Sequence, residues 1–185
     1  MGKKSTAFEP FHIEFIAQQH IFFVSTVPSD GFINLSPKGM DAFRIVDDKT
    51  VVWLNLTGSG NETAAHLLED DRMTIMMCAF EENPLILRMY GSAFAIHPRD
   101  DEWAQYIALF PNYLGARQLI KLNVELIMSS CGFGVPIMPF ERNRTEMEKW
   151  AIKKGDDGIA AYWTEKNQVS LNGRPTGLLK NEYGL

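Results

Sequence analysis

The sequence predicts a mainly β fold, a small antiparallel barrel with flanking helices. Three observations carry this: six or more short strand-like runs, few helical stretches, and a glycine inside the longest strand-like run. Strands that do not alternate regularly with long helices argue against a doubly wound parallel sheet. A glycine within a strand marks a bulge or bend, which a barrel uses to curve.

In chain order, residues 8–19 place Phe11, Phe15 and Ile16 at helical spacing and predict a short amphipathic helix. The runs 21–27 and 32–36 are β-rich and flank Pro28-Ser29-Asp30-Gly31, which predicts a hairpin with a four-residue loop. A short run at 43–46 and a turn at 47–50 lead into a strand over 50–56. After a short helix from Ala64, the run 73–80 is almost wholly apolar and predicts a strand buried on both faces. Residues 85–96 give the next strand, with Gly91 as its bend. A helix is expected over 99–109. In 119–129, Ile120, Leu122, Val124, Leu126 and Met128 alternate onto one face of a strand. One clear C-terminal helix covers 142–154, and a polar tail follows.

The totals fit one domain over residues 1–185, with the segment from about 140 to 185 packed on the barrel. No run reaches the roughly 20 apolar residues of a membrane span. A net charge of −5 with scattered lysines and arginines argues against nucleic acid as a partner. Cys78 and Cys131 are the two cysteines and belong to no C-x-x-C pair, so neither a disulfide scaffold nor a zinc site is expected. A signal-peptide core is missing, which makes the cytoplasm the expected compartment. Met1-Gly2-Lys3-Lys4-Ser5-Thr6 matches the myristoylation pattern formally, although so short a motif also occurs by chance.

The segment Thr57-Gly58-Ser59-Gly60-Asn61-Glu62-Thr63 joins a strand to a helix. Its glycines let a ligand approach the backbone, and the free N–H groups at the helix start favour an anion. The same residues contain Ser59 and Glu62 in capping-box spacing, which needs no ligand. The two readings need not compete. Ser36-Pro37-Lys38-Gly39 ends a strand; Lys38 is there either a solvated turn residue or a positive donor to an anion. Arg88 interrupts an apolar strand, and a buried arginine needs an anion, a local ion pair or several hydrogen-bond acceptors. His12, His20, His66 and His97 have no partner at ligand spacing and read as structural, so no metal site is expected. Trp150, Tyr162 and Trp163 read as core or as aromatics available to stack on a ligand. No residue stands out as an acid–base catalyst.

Together, Asn34-Leu35-Ser36-Pro37-Lys38-Gly39, Gly58 to Leu67, Ile86 to Ala93, Ser130 to Pro136 and Ser170 to Leu178 resemble the pyridoxamine 5'-phosphate oxidase-like family of flavin-binding split barrels. The resemblance implies a six-stranded antiparallel split barrel of Greek-key type, and a homodimer holding FMN in clefts at the subunit interface. It implies that Asn34, Ser36, Lys38 and Gly39, with Asn55, Thr57, Gly58, Ser59, Gly60, Asn61 and Thr63, line the flavin, and that Arg88 contributes a cation. Lys38 matches a flavin-contacting lysine of the oxidases. Relatives often carry arginine or lysine at the helix start, where this chain has Asn61, Glu62 and Thr63. It also lacks the Arg-Leu-His-Asp-Arg segment with which true oxidases grip their substrate. The expected activity is therefore electron transfer from NAD(P)H to a small acceptor rather than pyridoxamine phosphate oxidation. The rival expectation is a flavin or heme carrier or sensor on the same barrel.

Overall fold

The computed structural model describes residues 2–81 and 83–179; Met1 of the acylation pattern and residues 180–185 of the expected domain lie outside them. One antiparallel sheet runs through the molecule. Its strands are β1 (Lys3–Ser5), β2 (Phe22–Thr26), β3 (Asn34–Lys38), β4 (Phe43–Ile45), β5 (Thr50–Leu56), β6 (Arg72–Cys78), β7 (Leu85–Ile96) and β8 (Ala116–Cys131). Their spatial order is β3-β2-β6-β7-β8-β5-β4, with β1 added to β8. The sheet curls into a split barrel whose edges, β3 and β4, are not paired with each other. The described residues thus form eight strands rather than six: β4 answers to the short run at 43–46, while the three-residue β1 is too short to show a period in sequence.

Alternation along β5 explains its unbroken apolar run. Val51 and Trp53 enter the main core with Val24, Ile75, Leu87, Met89 and Ile127. Val52 and Leu54 face the other way, onto Ile96, Tyr106, Phe110 and Leu119. Successive residues of a strand point to opposite faces, so the stretch 51–54, which lies between two cores, carries no polar position. β6 differs from the expectation of burial on both faces: Met73, Ile75 and Met77 are buried, while Thr74 and Met76 are only half-buried.

The bend at Gly91 is present. The β7–β8 register shifts between Tyr90 and Gly91, which pair with Leu126 and Val124 and leave Glu125 as the extra residue of a bulge. A Cβ on Gly91 would lie 1.9 Å from the Asn123 carbonyl oxygen. The bulge also changes the phase of β8. Leu122 and Val124 are buried, but past Glu125 it is Ile127 and Ser129 that are buried, not Leu126 and Met128 as simple alternation predicts. Between β2 and β3 the connection spans residues 27–33 instead of four, and leaves Phe32 and Ile33 exposed.

The helices are α1 (Pro10–Ala17), α2 (Glu62–Leu67), α3 (Trp103–Ile107) and α4 (Glu146–Lys166). In α1, the Glu9 N–H donates to His12 Nδ1 at 3.0 Å, a structural role for that buried histidine. α4 is two helical segments, 146–154 and 156–166, joined at Gly155 (φ 64, ψ 174), a conformation that essentially only glycine adopts. The chain folds back there, bringing Trp150 and Tyr162 edge-to-face at 5.2 Å between ring centroids. The first segment ends at Lys154, where sequence ends the helix; the second was not expected, and it reaches the polar tail over 165–173 only at Glu165 and Lys166. Residues 167–179 then form a strap, pinned by the Val169–Pro175 bridge, by Arg174 on Asp30 and Glu69, and by Arg99 donating to the Gly177 and Leu178 carbonyls. Among the described residues no helix is long and apolar enough to cross a membrane.

Candidate functional site

A cavity of about 440 Å³ opens between the end of β3, the end of β5 and the glycine loop before α2. From β3 and its end come Asn34, Ser36, Lys38 and Gly39; β5 contributes Asn55. The loop and α2 add Gly58, Ser59, Gly60, Asn61 and Thr63. Three segments that sequence reading joined only by resemblance therefore meet on one surface. Thr57 turns away: its hydroxyl donates to the Gly115 carbonyl at 2.7 Å and accepts from Trp163 Nε1 at 2.8 Å. Arg88 lies outside the cavity, half-buried on β7, with Nη1 3.3 Å from Ser130 Oγ. Half-exposure on the barrel wall supplies water and a hydroxyl, so Arg88 has no need of an anion.

The cation that sequence reading missed is Arg117. It opens β8, is 2% exposed, and has no carboxylate partner among the described residues. Its Nη1 donates to the Gly60 carbonyl at 3.0 Å and approaches the Gly58 carbonyl at 3.5 Å, while Nε has no partner. Burial pushes its pKa down to about 10, so it stays charged at neutral pH. The signal was the one applied to Arg88, an arginine in an apolar strand; Arg117 precedes the apolar run and so escaped it.

Lys38 stands near Arg117, its Nζ 5.1 Å from the centre of the Trp53 ring. Burial, followed by the Arg117 charge, pushes its pKa down to about 8. Two like charges held together without an acidic partner leave an unmet demand for an anion. Among the buried polar atoms with no partner, Asn61 Nδ2 is a free donor that adds to it, while Asn55 Oδ1 and Asn61 Oδ1 are free acceptors that ask for a donor on the same ligand. Asn34 is already engaged, donating to Thr63 Oγ1 and accepting from Ser36 Oγ.

The loop is shaped for close approach. A Cβ on Gly58 would meet nothing within 4 Å, so the backbone there faces open space. The capping box expected of Ser59 and Glu62 is not formed. Asn61 is the N-cap residue of α2 and makes no side-chain cap bond. Glu62 Oε1 instead accepts from the Leu171 N–H at 2.9 Å. The strap thus holds the one carboxylate of the cavity on a donor. Asn167, fully buried, reinforces the loop by donating from Nδ2 to the Gly58 carbonyl at 3.0 Å. None of the four histidines lines this cavity. His66 is 3.0 Å from Thr26 Oγ1, and burial lowers the pKa of His97 to about 4.

The Lys38 shift gives a pH dependence. Its folded pKa, about 8, lies below the usual 10.5, so the unfolded chain holds the extra proton between these values. Stability of the ligand-free protein should rise through that window, while affinity for an anion should fall as pH rises through about 8. Lys38→Met should flatten both profiles, measured by denaturant titration and anion binding from pH 7 to 10.

Residues 8–131 match the family profile described as pyridoxamine 5'-phosphate oxidase. The chain is 34% identical over 178 residues to the pyridoxamine 5'-phosphate oxidase family protein ustO of Aspergillus flavus, covering 85% of this chain and 71% of that protein. A Clostridium acetobutylicum protein related to general stress protein 26, of the pyridoxinephosphate oxidase family, superposes with a TM-score of 0.52 at 14% identity, over 74% of this chain and 94% of its own. HutZ, the heme storage protein from Vibrio cholerae, superposes with a TM-score of 0.50 at 20% identity, over 68% of this chain and 96% of its own. These two structural likenesses speak for the fold; the profile and the Aspergillus relative speak for descent. On that ground the chain belongs to the pyridoxamine 5'-phosphate oxidase family.

Proposed function

We propose that the protein is an FMN-binding oxidoreductase that passes electrons from NAD(P)H to a small acceptor. The observation that carries this reading is the pair Arg117 and Lys38, two cations with no ion-pair partner among the described residues, on a cavity whose glycine wall is open and whose one carboxylate, Glu62, is engaged by the strap. FMN brings a phosphate and a ring that takes up a hydride and releases its electrons singly or in pairs. Arg117 and the Gly58–Asn61 backbone would bind the phosphate. Lys38 would sit at the ring edge that gains negative charge on reduction, an electrostatic stabilisation. Asn55 and Asn61 would orient the cofactor through their unpartnered amides. Trp53 beneath Lys38 helps to keep water from that charge.

A second copy of the chain would complete the cleft. The free edge strand β3 and its approach carry Phe32, Ile33 and Leu35, each about two-thirds exposed or more, beside the cavity. Unpaired thiols at Cys78 and Cys131 suit a reducing, cytoplasmic setting. The rival reading, a heme carrier, draws on the HutZ likeness and on His20, which lines a neighbouring cavity and stacks on Phe140 at 3.7 Å.

Titration with FMN tests the reading. Flavin fluorescence should be quenched with saturable, roughly micromolar affinity, on the order of −8 kcal/mol. Bound flavin should bleach with NADH or NADPH and recover with an acceptor. Gly58→Val should leave thermal stability nearly unchanged yet weaken FMN by about tenfold or more, because its side chain enters the cradle. Refusal of FMN together with a Soret band on adding heme would favour the carrier.

A further inference from the structure

A second cavity, about 690 Å³, adjoins the first and shares Gly39, Met40, Gly58, Ser59 and Met147 with it. Its far wall is built by the fold-back of α4, which presents the edge-to-face pair of Trp150 and Tyr162. Ile21, Met40 and Met147 extend the apolar lining. Arg142, Arg144 and Glu146 are its charged groups. Neither arginine forms an ion pair among the described residues. Three charges of which two are positive leave one cation in excess.

We propose that this second cavity is a binding site for an apolar, multi-ring aromatic monoanion such as an aryl carboxylate or sulfonate. The aromatic pair offers one face and one edge for a planar ring to stack on. The arginines offer planar donors matched to the oxygens of a carboxylate or sulfonate. The volume lies within the range of small-molecule pockets and exceeds the need of a single ring. The shared wall sets this ligand beside the cavity of the flavin reading, but its binding does not rest on that reading.

A matched pair of probes separates anion recognition from greasiness: anilinonaphthalene sulfonate, and phenylnaphthylamine, which has the same rings without the charge. In equilibrium dialysis of the FMN-treated protein, the sulfonate should bind about tenfold more tightly than the amine. Arg142→Met combined with Arg144→Met should remove that preference and leave the amine unchanged; both arginines are exposed, so folding is not at stake. Trp150→Ala should weaken both probes about tenfold. Equal binding of the two probes, an unchanged ratio in the double variant, or indifference to Trp150→Ala would overturn the site. Flavin absorbance retained in the same samples reports the cofactor separately: probe binding without flavin sinks the FMN reading alone, and flavin without the probe preference sinks this site alone.

Discussion

Gly91→Ala should cost about 3 kcal/mol of stability, the largest effect expected of any single methyl group in the barrel. The added carbon would sit 1.9 Å from the Asn123 carbonyl oxygen and 2.9 Å from its carbon. Both are backbone atoms of the paired strand, so no side chain can swing aside. Relief requires β7 and β8 to part at the bulge, where the phase of β8 is set for Ile127 and the main core. In a chain of 185 residues each kcal/mol corresponds to roughly 2–4 °C, so Tm should fall by about 6–12 °C. Gly134→Ala, where a Cβ meets nothing within 4 Å, is the control and should change little. Calorimetry of the two variants decides the matter; similar melting of Gly91→Ala and Gly134→Ala would contradict the close approach.

Arg117→Met should abolish cofactor binding more completely than any other single change at the cavity. Removing a buried charged donor from an anion typically costs 2–5 kcal/mol, about 30-fold or more in affinity. The variant keeps the length and apolar character of the stem, and it removes an unpaired buried charge, so the fold should lose little. A replaced buried charge can even be stabilising. Lys38 provides a second readout. With the neighbouring guanidinium gone, its pKa should move back up from about 8, because Arg117 is the second cause of its depression after burial. Flavin titration measures the first effect, and NMR of the lysine side chain across pH 7 to 10 the second. An FMN affinity within threefold of wild type would remove Arg117 from the site.

The contrast between Arg88 and Arg117 shows where sequence stops informing. Both interrupt or adjoin apolar strands, and period alone cannot say which one faces a sealed space. Arg88 is half-buried with Ser130 nearby; Arg117 reaches carbonyls of Gly58 and Gly60, more than fifty residues away in the chain. Local patterns were legible when the structure satisfied them locally. The Gly91 bend, the strand end at Leu56 and the end of a helix at Lys154 all belong to this class, whereas β3 starts two residues later than the run 32–36 and runs on through Pro37 to Lys38, paired with Phe23 and Phe22. A local pattern failed when a distant group competed for it. Ser59 and Glu62 had capping-box spacing, but the N–H of Leu171 takes the Glu62 carboxylate. The single-face alternation of β8 failed because one bulge residue, Glu125, shifts every later side chain by one position. The glycine-loop side of the cavity, which lacked positive charge when read as sequence, gains it from Arg117, on a strand that no loop motif could name.

The strap over residues 167–179 has a consequence for how the molecule opens. Asn167 and Leu171 hold the glycine loop and its carboxylate, and Thr176 Oγ1 closes on the Asn167 carbonyl at 2.6 Å. Loosening of the strap would therefore release the cradle in the same event. Strap and cradle form one cooperative unit: whatever binds the loop favours an ordered strap, and a loosened strap frees the Glu62 carboxylate to repel an anion.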